Sequence, residues 1–224
     1  MYRRILTRSS LPLLALGLTA CGGPIVHDLI PLPGKESEVP EITKVTEVLF
    51  ETAAGEIRIA VYPEAAPNAA ARFIELVESG FYDNIPVSRV VPGFVAQFGI
   101  NGRAPHVQWR EKSFDDDPTL FALERGTLAF AKAGPNTNST QVFINYAENN
   151  RLADPQYNFT TFGMVITETD EDGNEVGGMA IVDEFVQVGD PSGGLDQGRL
   201  WANSDTYLAS LRIQPTMILS AKVL

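Results

Sequence analysis

At 224 residues the chain is long enough for one sizeable domain with appendages and short for two full domains. Its 44% hydrophobic and 20% charged content excludes a largely disordered protein. A formal net charge of −11 repels nucleic acid and anionic membrane, and so argues against a nucleic-acid-binding role.

The first 20 residues open with Arg3, Arg4 and Arg8 and continue in a short apolar stretch from Leu11 to Ala20. That stretch is shorter than the roughly 20 apolar residues a bilayer span needs, and with its basic start it has the shape of a secretory signal peptide. It ends Leu18-Thr19-Ala20-Cys21, which resembles a bacterial lipobox, in which the chain is cut before the Cys and the Cys is acylated. Cys21 is the single cysteine, so no intramolecular disulfide competes for it. Gly22 rather than Asp follows, which in Gram-negative lipoproteins implies sorting to the outer membrane and a place on its periplasmic face. The expectation is an exported chain held to the membrane by lipid on Cys21. Residues 21–44 carry Pro24, Pro31, Pro33 and Pro40 and show no sustained period, as a semi-extended tether would. Leu29, Ile30 and Leu32 form a small apolar knot within it.

From residue 45 the pattern becomes that of a folded domain running to residue 224. Val48 and Phe50 alternate with polar neighbours, and Ile57, Ile59 and Val61 do the same beyond a turn at Gly55, which predicts a hairpin of half-buried strands. Residues 67–79 predict a helix with Pro67 in its first turn, Gly80 past its end, and an apolar face of Ala70, Phe73, Ile74 and Val77. Strands are predicted at 87–91, 95–98, 127–131, 141–146, 162–166 and 217–223, a second helix at 179–188, and a helical turn at 207–211. Many strands with two separated helices predict a mainly β fold, a closed antiparallel barrel with helices over its ends. Strand parity puts Gln141, Phe143 and Asn145 on one face of their strand and Val95 with Gln97 on one face of theirs, which predicts a groove holding a few placed polar groups.

Two runs are more specific. Arg89-Val90-Val91-Pro92-Gly93-Phe94-Val95-Ala96-Gln97 and Ala133-Gly134-Pro135-Asn136-Thr137-Asn138-Ser139-Thr140-Gln141-Val142-Phe143-Ile144 resemble the active-site strands of cyclophilins. The resemblance covers residues 45–224 and implies an eight-stranded barrel capped by two helices, with peptidyl-prolyl cis-trans isomerase activity toward proline-containing polypeptides. It implies Arg89 as the catalytic cation and Gln97 as its orienting partner. It implies a proline pocket lined by Phe94, Val95, Phe143 and Leu152, and substrate-backbone contacts from Gln141 and Ala131. Phe159 stands where many members carry a pocket His and keeps an apolar wall. Ser88 replaces a His just before the arginine, Lys132 replaces an Asn that contacts substrate backbone, and Arg151 replaces a Trp, which disfavours the family's cyclic-peptide inhibitor.

Isomerisation about an X–Pro bond makes and breaks no covalent bond. Its barrier of about 18–20 kcal/mol is the loss of amide resonance. An apolar pocket for the ring and a preorganised cation for the twisting amide lower it, with no nucleophile, metal or cofactor required. His27 and His106 lack metal-ligand spacing. Glu168 to Gly173 resembles the start of an EF-hand loop, but Met179 occupies the twelfth position, where a bidentate Glu belongs. That stretch predicts an acidic turn, Asp115-Asp116-Asp117 a charged loop, and Trp109 and Trp201 packing residues. Two rival functions fit the same sequence: a membrane-anchored module or holdase that holds proline segments and turns over slowly, and a purely structural lipoprotein.

Overall fold

The computed structural model describes residues 29–224, so the expected signal peptide and the lipid site at Cys21 lie outside the described residues. In chain order the strands are β1 (Thr46–Thr52), β2 (Gly55–Val61), β3 (Ile85–Val91), β4 (Val95–Phe98), β5 (Thr127–Phe130), β6 (Val142–Asn145), β7 (Thr161–Ile166), β8 (Glu168–Thr169), β9 (Glu175–Val176) and β10 (Met217–Val223). The helices are α1 (Pro67–Glu78), α2 (Met179–Asp183) and α3 (Gln197–Ala209). Eight strands close a barrel in the order β1-β10-β3-β4-β6-β5-β7-β2, each neighbour antiparallel, and β8 and β9 form a separate hairpin. The expected eight-stranded barrel is therefore what the chain forms.

The interior is filled by alternate residues, as a period of two requires. Val48 and Phe50 from β1, Ile57 and Ile59 from β2, Ala96 and Phe98 from β4, and Val142 and Ile144 from β6 meet in one buried cluster. Helix α1 adds Phe73, whose ring lies 5.9 Å from Phe50, 5.4 Å from Tyr82 and 5.1 Å from Phe162. Burying a side chain of this size contributes about 1.5–3 kcal/mol. Helix α2 adds Met179 and Val182 to the same cluster, so two helices serve the barrel core as expected.

Three expectations change. The helix predicted at 179–188 stops at Asp183 because Val186 N donates to Thr216 Oγ1 (2.9 Å) rather than continuing the helical ladder; Phe185 stays in the core while Val186 turns outward. The predicted turn at 207–211 is the end of a 13-residue helix, α3, that also begins earlier. Asn203 breaks its backbone (φ −163°, ψ 73°), and Ser204 occupies a buried position, so the apolar period is interrupted and the helix is faint in the sequence. The stretch read as tether differs as well. Its residues from 29 onward are seated on the barrel: Leu29 packs with Ala60, Tyr62, Ala65 and Phe121, with Val39 and Ile42 alongside. Pro31 faces Phe121 as an antiparallel bridge, Leu32 N donates to Leu120 O (2.9 Å), and Ala122 N to Ile30 O (2.8 Å). Widely spaced apolar residues pin this segment, and such contacts leave no period to read.

The acidic run 115–117 is a loop, as expected, with Asp115 exposed and Asp117 buried. Helix α1 has no side-chain cap of its own at Ala66; Asp117, far along the chain and buried, accepts from Asn68 N (3.1 Å) and Ala69 N (2.9 Å). Two of the helix's orphan donors are thereby satisfied by a remote carboxylate. Burial raises the Asp117 pKa, and the two amide hydrogen bonds oppose that rise without cancelling it. Asp117→Ala should lower unfolding free energy by about 1–2 kcal/mol, with a melting temperature lower by about 2–4 °C for each kcal/mol. Urea denaturation followed by circular dichroism checks this, and an unchanged midpoint would show that α1 does not depend on the cap.

Candidate active site

The β3–β4 hairpin sets the site's geometry. Pro92 and Gly93 are the central residues of its turn, Phe94 N donates to Val91 O (2.9 Å), and Gly93 has φ +74°, the left-handed conformation that the third residue of a type II turn requires. The turn places Val91 opposite Val95, Val90 opposite Ala96 and Arg89 opposite Gln97; a bulge at Ser88 then shifts the register so that Val87 faces Phe98. Gln97 lies opposite Phe143, and Phe143 opposite Ala129. Four adjacent strands thus carry one lateral row: Arg89, Gln97, Phe143, Ala129. Their sequence neighbours Ala96, Val142, Ile144 and Leu128 point into the core. The row belongs to the outer face.

On that face Val95, Leu123, Ala129, Phe143 and Leu152 form a buried apolar floor, with Phe94, Ala131 and Phe159 packed against it. A cleft of about 230 Å³ opens above it, lined by Arg89, Phe94, Val95, Gln97, Ala131, Lys132, Phe143, Leu152 and Phe159. Every expected catalytic or substrate-binding residue lines this cleft except Gln141, which stands beside it and accepts from Gln97 Nε2 through Oε1 (2.8 Å). Gln97 is more enclosed than an open groove would leave it, at 8% exposure, because its amide lies between Arg89 and Gln141. Phe143 and Phe159 meet edge to face with centroids 5.6 Å apart, which stiffens the pocket wall. Ala131 N donates to Gln141 O (2.8 Å), tying together the two positions assigned to substrate backbone.

Arg89 is half-buried. Its Nε donates to Ser192 O (2.6 Å), its Nη1 to Gln97 Oε1 (3.3 Å), and its guanidinium carbon stands 5.5 Å from the Phe94 ring centroid. Arg151 approaches the same ring at 5.0 Å, so this departure from the family pattern adds a second cation to Phe94 rather than a wall to the pocket. Burial lowers the Arg89 pKa from its ordinary value, and a guanidinium remains cationic in proteins all the same.

Several supporting residues escaped the sequence reading. Asn149 donates through Nδ2 to Phe94 O (3.0 Å) and to Asn145 Oδ1 (2.7 Å); Asn145 in turn bonds Thr127. Asn150 accepts from Leu123 N through Oδ1 (2.8 Å), and Asn149 N donates to Leu123 O (2.7 Å). These asparagines hold the Phe94 backbone and the pocket floor. Their one sequence signal, a pair of adjacent asparagines before a short 3-10 turn (Asn150–Ala153), is shared with many ordinary loops. Ser192 and Gln197 carried no signal at all.

Lys132 lines the cleft, but its ammonium is already engaged by the protein. Its ammonium turns beneath the cleft to Asp116 Oδ2 (2.7 Å) and the Asn158 carbonyl (2.8 Å), with 4% of its side chain exposed. Burial raises the Asp116 pKa, but hydrogen bonds from Lys132, Asn136 N and Asn138 outweigh it and leave the carboxyl below its ordinary 3.8. A folded pKa below the unfolded one means that this stabilisation is present above pH 3.8 and is lost as pH falls through the folded value. Asp116→Ala leaves the buried ammonium with a single neutral acceptor among the described residues and should destabilise by about 3–5 kcal/mol. Replacing both partners, Asp116→Ala with Lys132→Met, should recover most of that loss in chemical denaturation; a double variant as unstable as the single one would refute the pairing account.

A family model described as cyclophilin type peptidyl-prolyl cis-trans isomerase/CLD matches residues 47–189. The chain is 38% identical over 134 residues to a peptidyl-prolyl cis-trans isomerase-like 3 of Rhizopus delemar, a match covering 55% of this chain and 76% of that one. It is 36% identical over 134 residues to a peptidyl-prolyl cis-trans isomerase of Synechococcus elongatus, covering 57% and 83%. A crystal structure of a Cryptosporidium parvum cyclophilin type peptidyl-prolyl cis-trans isomerase, determined in the presence of the dipeptide Ala-Pro, aligns with a TM-score of 0.56 at 22% identity, covering 80% of this chain and 98% of that one, a likeness of fold. A family match over residues 47–189, carried on the closed barrel of the same fold, makes this chain a cyclophilin-type peptidyl-prolyl cis-trans isomerase.

Proposed function

We propose that Arg89 drives the isomerisation by hydrogen-bonding the prolyl amide as it twists, with the proline ring held on the floor of Val95, Phe143 and Leu152. The observation that carries this is that Arg89 stands at the edge of an apolar floor and is bound there only through neutral oxygens. Arg89 spends Nε and Nη1 on neutral oxygens, and Nη2 has no protein acceptor among the described residues. When the amide rotates out of plane its nitrogen regains a lone pair, and a donor already in position favours that state over the planar ground state. The cleft, at about 230 Å³, is below the roughly 300 Å³ at which pockets for drug-sized ligands begin, and suits one ring rather than a large flat ligand. Gln97 keeps the guanidinium in register, and Gln141 with Ala131 meets the substrate backbone on either side.

Arg89→Ala should lower kcat/KM at least about tenfold, or about 1.4 kcal/mol of transition-state stabilisation, with the folded fraction unchanged. Arg89→Lys should recover little, because an ammonium cannot make the forked set of bonds to Ser192, Gln97 and substrate together. Phe143→Ala should weaken peptide binding by removing a pocket wall. A prolyl test peptide assayed with each variant at equal folded fraction decides the matter. Wild-type turnover in Arg89→Ala would end the arginine mechanism, and absent activity in the unaltered domain would favour the slow binding module.

We further propose that the enzyme works on exported proteins from a lipid anchor at Cys21. The support is the order of features in residues 1–21: basic start, short apolar stretch, and Leu18-Thr19-Ala20-Cys21 at its end. A single acyl chain binds membrane marginally, at about 0.8 kcal/mol per buried methylene, whereas two or more chains on one Cys anchor stably. Cys21→Ser should release the protein from the membrane fraction or leave it uncleaved. Intact mass showing an exported form with unmodified Cys21 would refute the anchor.

A further inference from the structure

The hydrogen bonds at Arg89 form a chain whose two ends finish in the same short stretch of sequence. Arg89 Nη1 donates to Gln97 Oε1 (3.3 Å), which fixes that amide so that Gln97 Nε2 donates to Gln141 Oε1 (2.8 Å). Gln141 Nε2 then donates to Gln197 Oε1 (3.2 Å) at the start of α3. On the other side of the guanidinium, Arg89 Nε donates to the main-chain carbonyl of Ser192 (2.6 Å). The family match ends at residue 189, before both anchor points.

Asp190 shapes the loop that presents this carbonyl. Its Oδ1 accepts from Ser192 N (2.9 Å), Ser192 Oγ (2.8 Å) and Gly193 N (2.7 Å), and paired backbone bonds of 2.8 Å between Asp190 and Gly194 close the turn. The loop is pressed onto β3. Leu195 N donates to Ser88 O (2.8 Å) at the bulge, and a Cβ on Gly194, already at φ +76°, would fall 2.4 Å from Ser88 O and 2.7 Å from Arg89 Cα. Gln197 is held in turn: Asp196 accepts from Arg199 N (2.9 Å) as the helix cap, and Asp196 N donates to Tyr207 Oη (3.0 Å). A carbonyl, rather than a carboxylate, grips Arg89 at Nε. It orients the guanidinium without neutralising it, and among the described residues Arg89 makes no ion pair.

We infer that Asp190 and Gln197 are positioning residues of the isomerase reaction: the segment 190–197 grips the Arg89–Gln97–Gln141 chain at both ends and holds the guanidinium at the cleft. This rests on the assignment of Arg89 as the catalytic cation. Among the described residues the segment's hydrogen bonds to the site go to Ser88, Arg89 and Gln141 and none to the floor residues Val95, Leu123, Ala129, Phe143 and Leu152, so it acts on the rate of rotation rather than on affinity for the proline ring. Preorganisation of this kind is sensitive to displacements of an ångström or less.

The test reads on-enzyme isomerisation rate and peptide affinity separately, by NMR exchange line shapes of a prolyl peptide titrated with each full-length variant. Asp190→Ala should slow the on-enzyme rate about three- to tenfold with affinity unchanged, as expected for a loss confined to the transition state. Asp190→Asn should restore most of the rate, because its side-chain oxygen accepts the same three bonds. Gln197→Ala, at an exposed position that can be altered without unfolding, should slow the rate about twofold or more by the same logic. In an Arg89→Lys background, Asp190→Ala should add nothing, since the group it positions is gone. An unchanged rate in both Asp190→Ala and Gln197→Ala overturns the inference, as does an equal fractional loss in the Arg89→Lys background, a loss of affinity in step with rate, or failure of Asp190→Asn to restore. Should Arg89→Ala itself turn over normally, the arginine mechanism fails and takes this inference with it. A slow Arg89→Ala beside fast Asp190→Ala and Gln197→Ala removes the inference alone.

Discussion

Closing a sheet into a barrel obliges each strand to serve two environments at a spacing of two residues, and the site of this isomerase depends on that alternation being kept across four strands at once. Ala96 and Phe98, Val142 and Ile144, Leu128 and Phe130 fill the interior. The residues between them, Gln97, Phe143 and Ala129, align laterally with Arg89 on the outer face. A slip of one residue in any of these pairings would exchange core for cleft and destroy both. Of the fully buried aromatic cluster of Phe50, Phe73, Tyr82 and Phe98, Phe98 stands on the cleft strand β4 one residue after Gln97, so its packing against Phe50 and Tyr82 ties that strand's register to the core.

The chain's charge is arranged against its own average. Overall the protein is acidic, at a net −11, yet the cleft carries Arg89, with Arg151 over the outer ring of Phe94 and Lys132 beneath. The three cations do different work. Lys132 is consumed by Asp116 and the Asn158 carbonyl and supports the loop under the pocket. Arg151 is exposed and stacks on Phe94 from the solvent side. Arg89 is bound through neutral oxygens, which orient its guanidinium at the cleft without neutralising it.

Contacts distant in sequence supply much of the local order. The N-terminus of α1 is capped by Asp117, the floor residue Leu123 is pinned by Asn149 and Asn150, and residues 29–32 add a short antiparallel pairing to residues 120–122, just before that floor residue. Each of these spends one polar group or one bridge on two elements. Removing one such group should therefore be felt in both.

The barrel and the α1 helix were legible in the sequence because their signals are local, and so was the phase of the residues after the β3–β4 turn, though the floor residues Leu123 and Ala129 were not. Alternation in Ile57, Ile59 and Val61 marks a strand by steric parity, the Pro92-Gly93 pair marks a turn by its backbone requirement, and Phe94, Val95 and Gln97 follow that turn at determined phase. The family resemblance of residues 89–97 and 133–144 assigned roles that parity alone could not. What only the tertiary structure decided were the partners. Nothing near Lys132 in the sequence says that its ammonium turns under the pocket to Asp116, and nothing near α1 says that Asp117 caps it. The grip of Ser192 and Gln197 on the arginine chain was equally silent, since a main-chain carbonyl has no side-chain identity to read and the helix bearing Gln197 is broken at Asn203. Periodicity records which face a residue shares with its neighbours along the chain; hydrogen-bond partners across about 100 residues are set by how the loops close over the barrel, and that is decided by packing rather than by any local run of sequence.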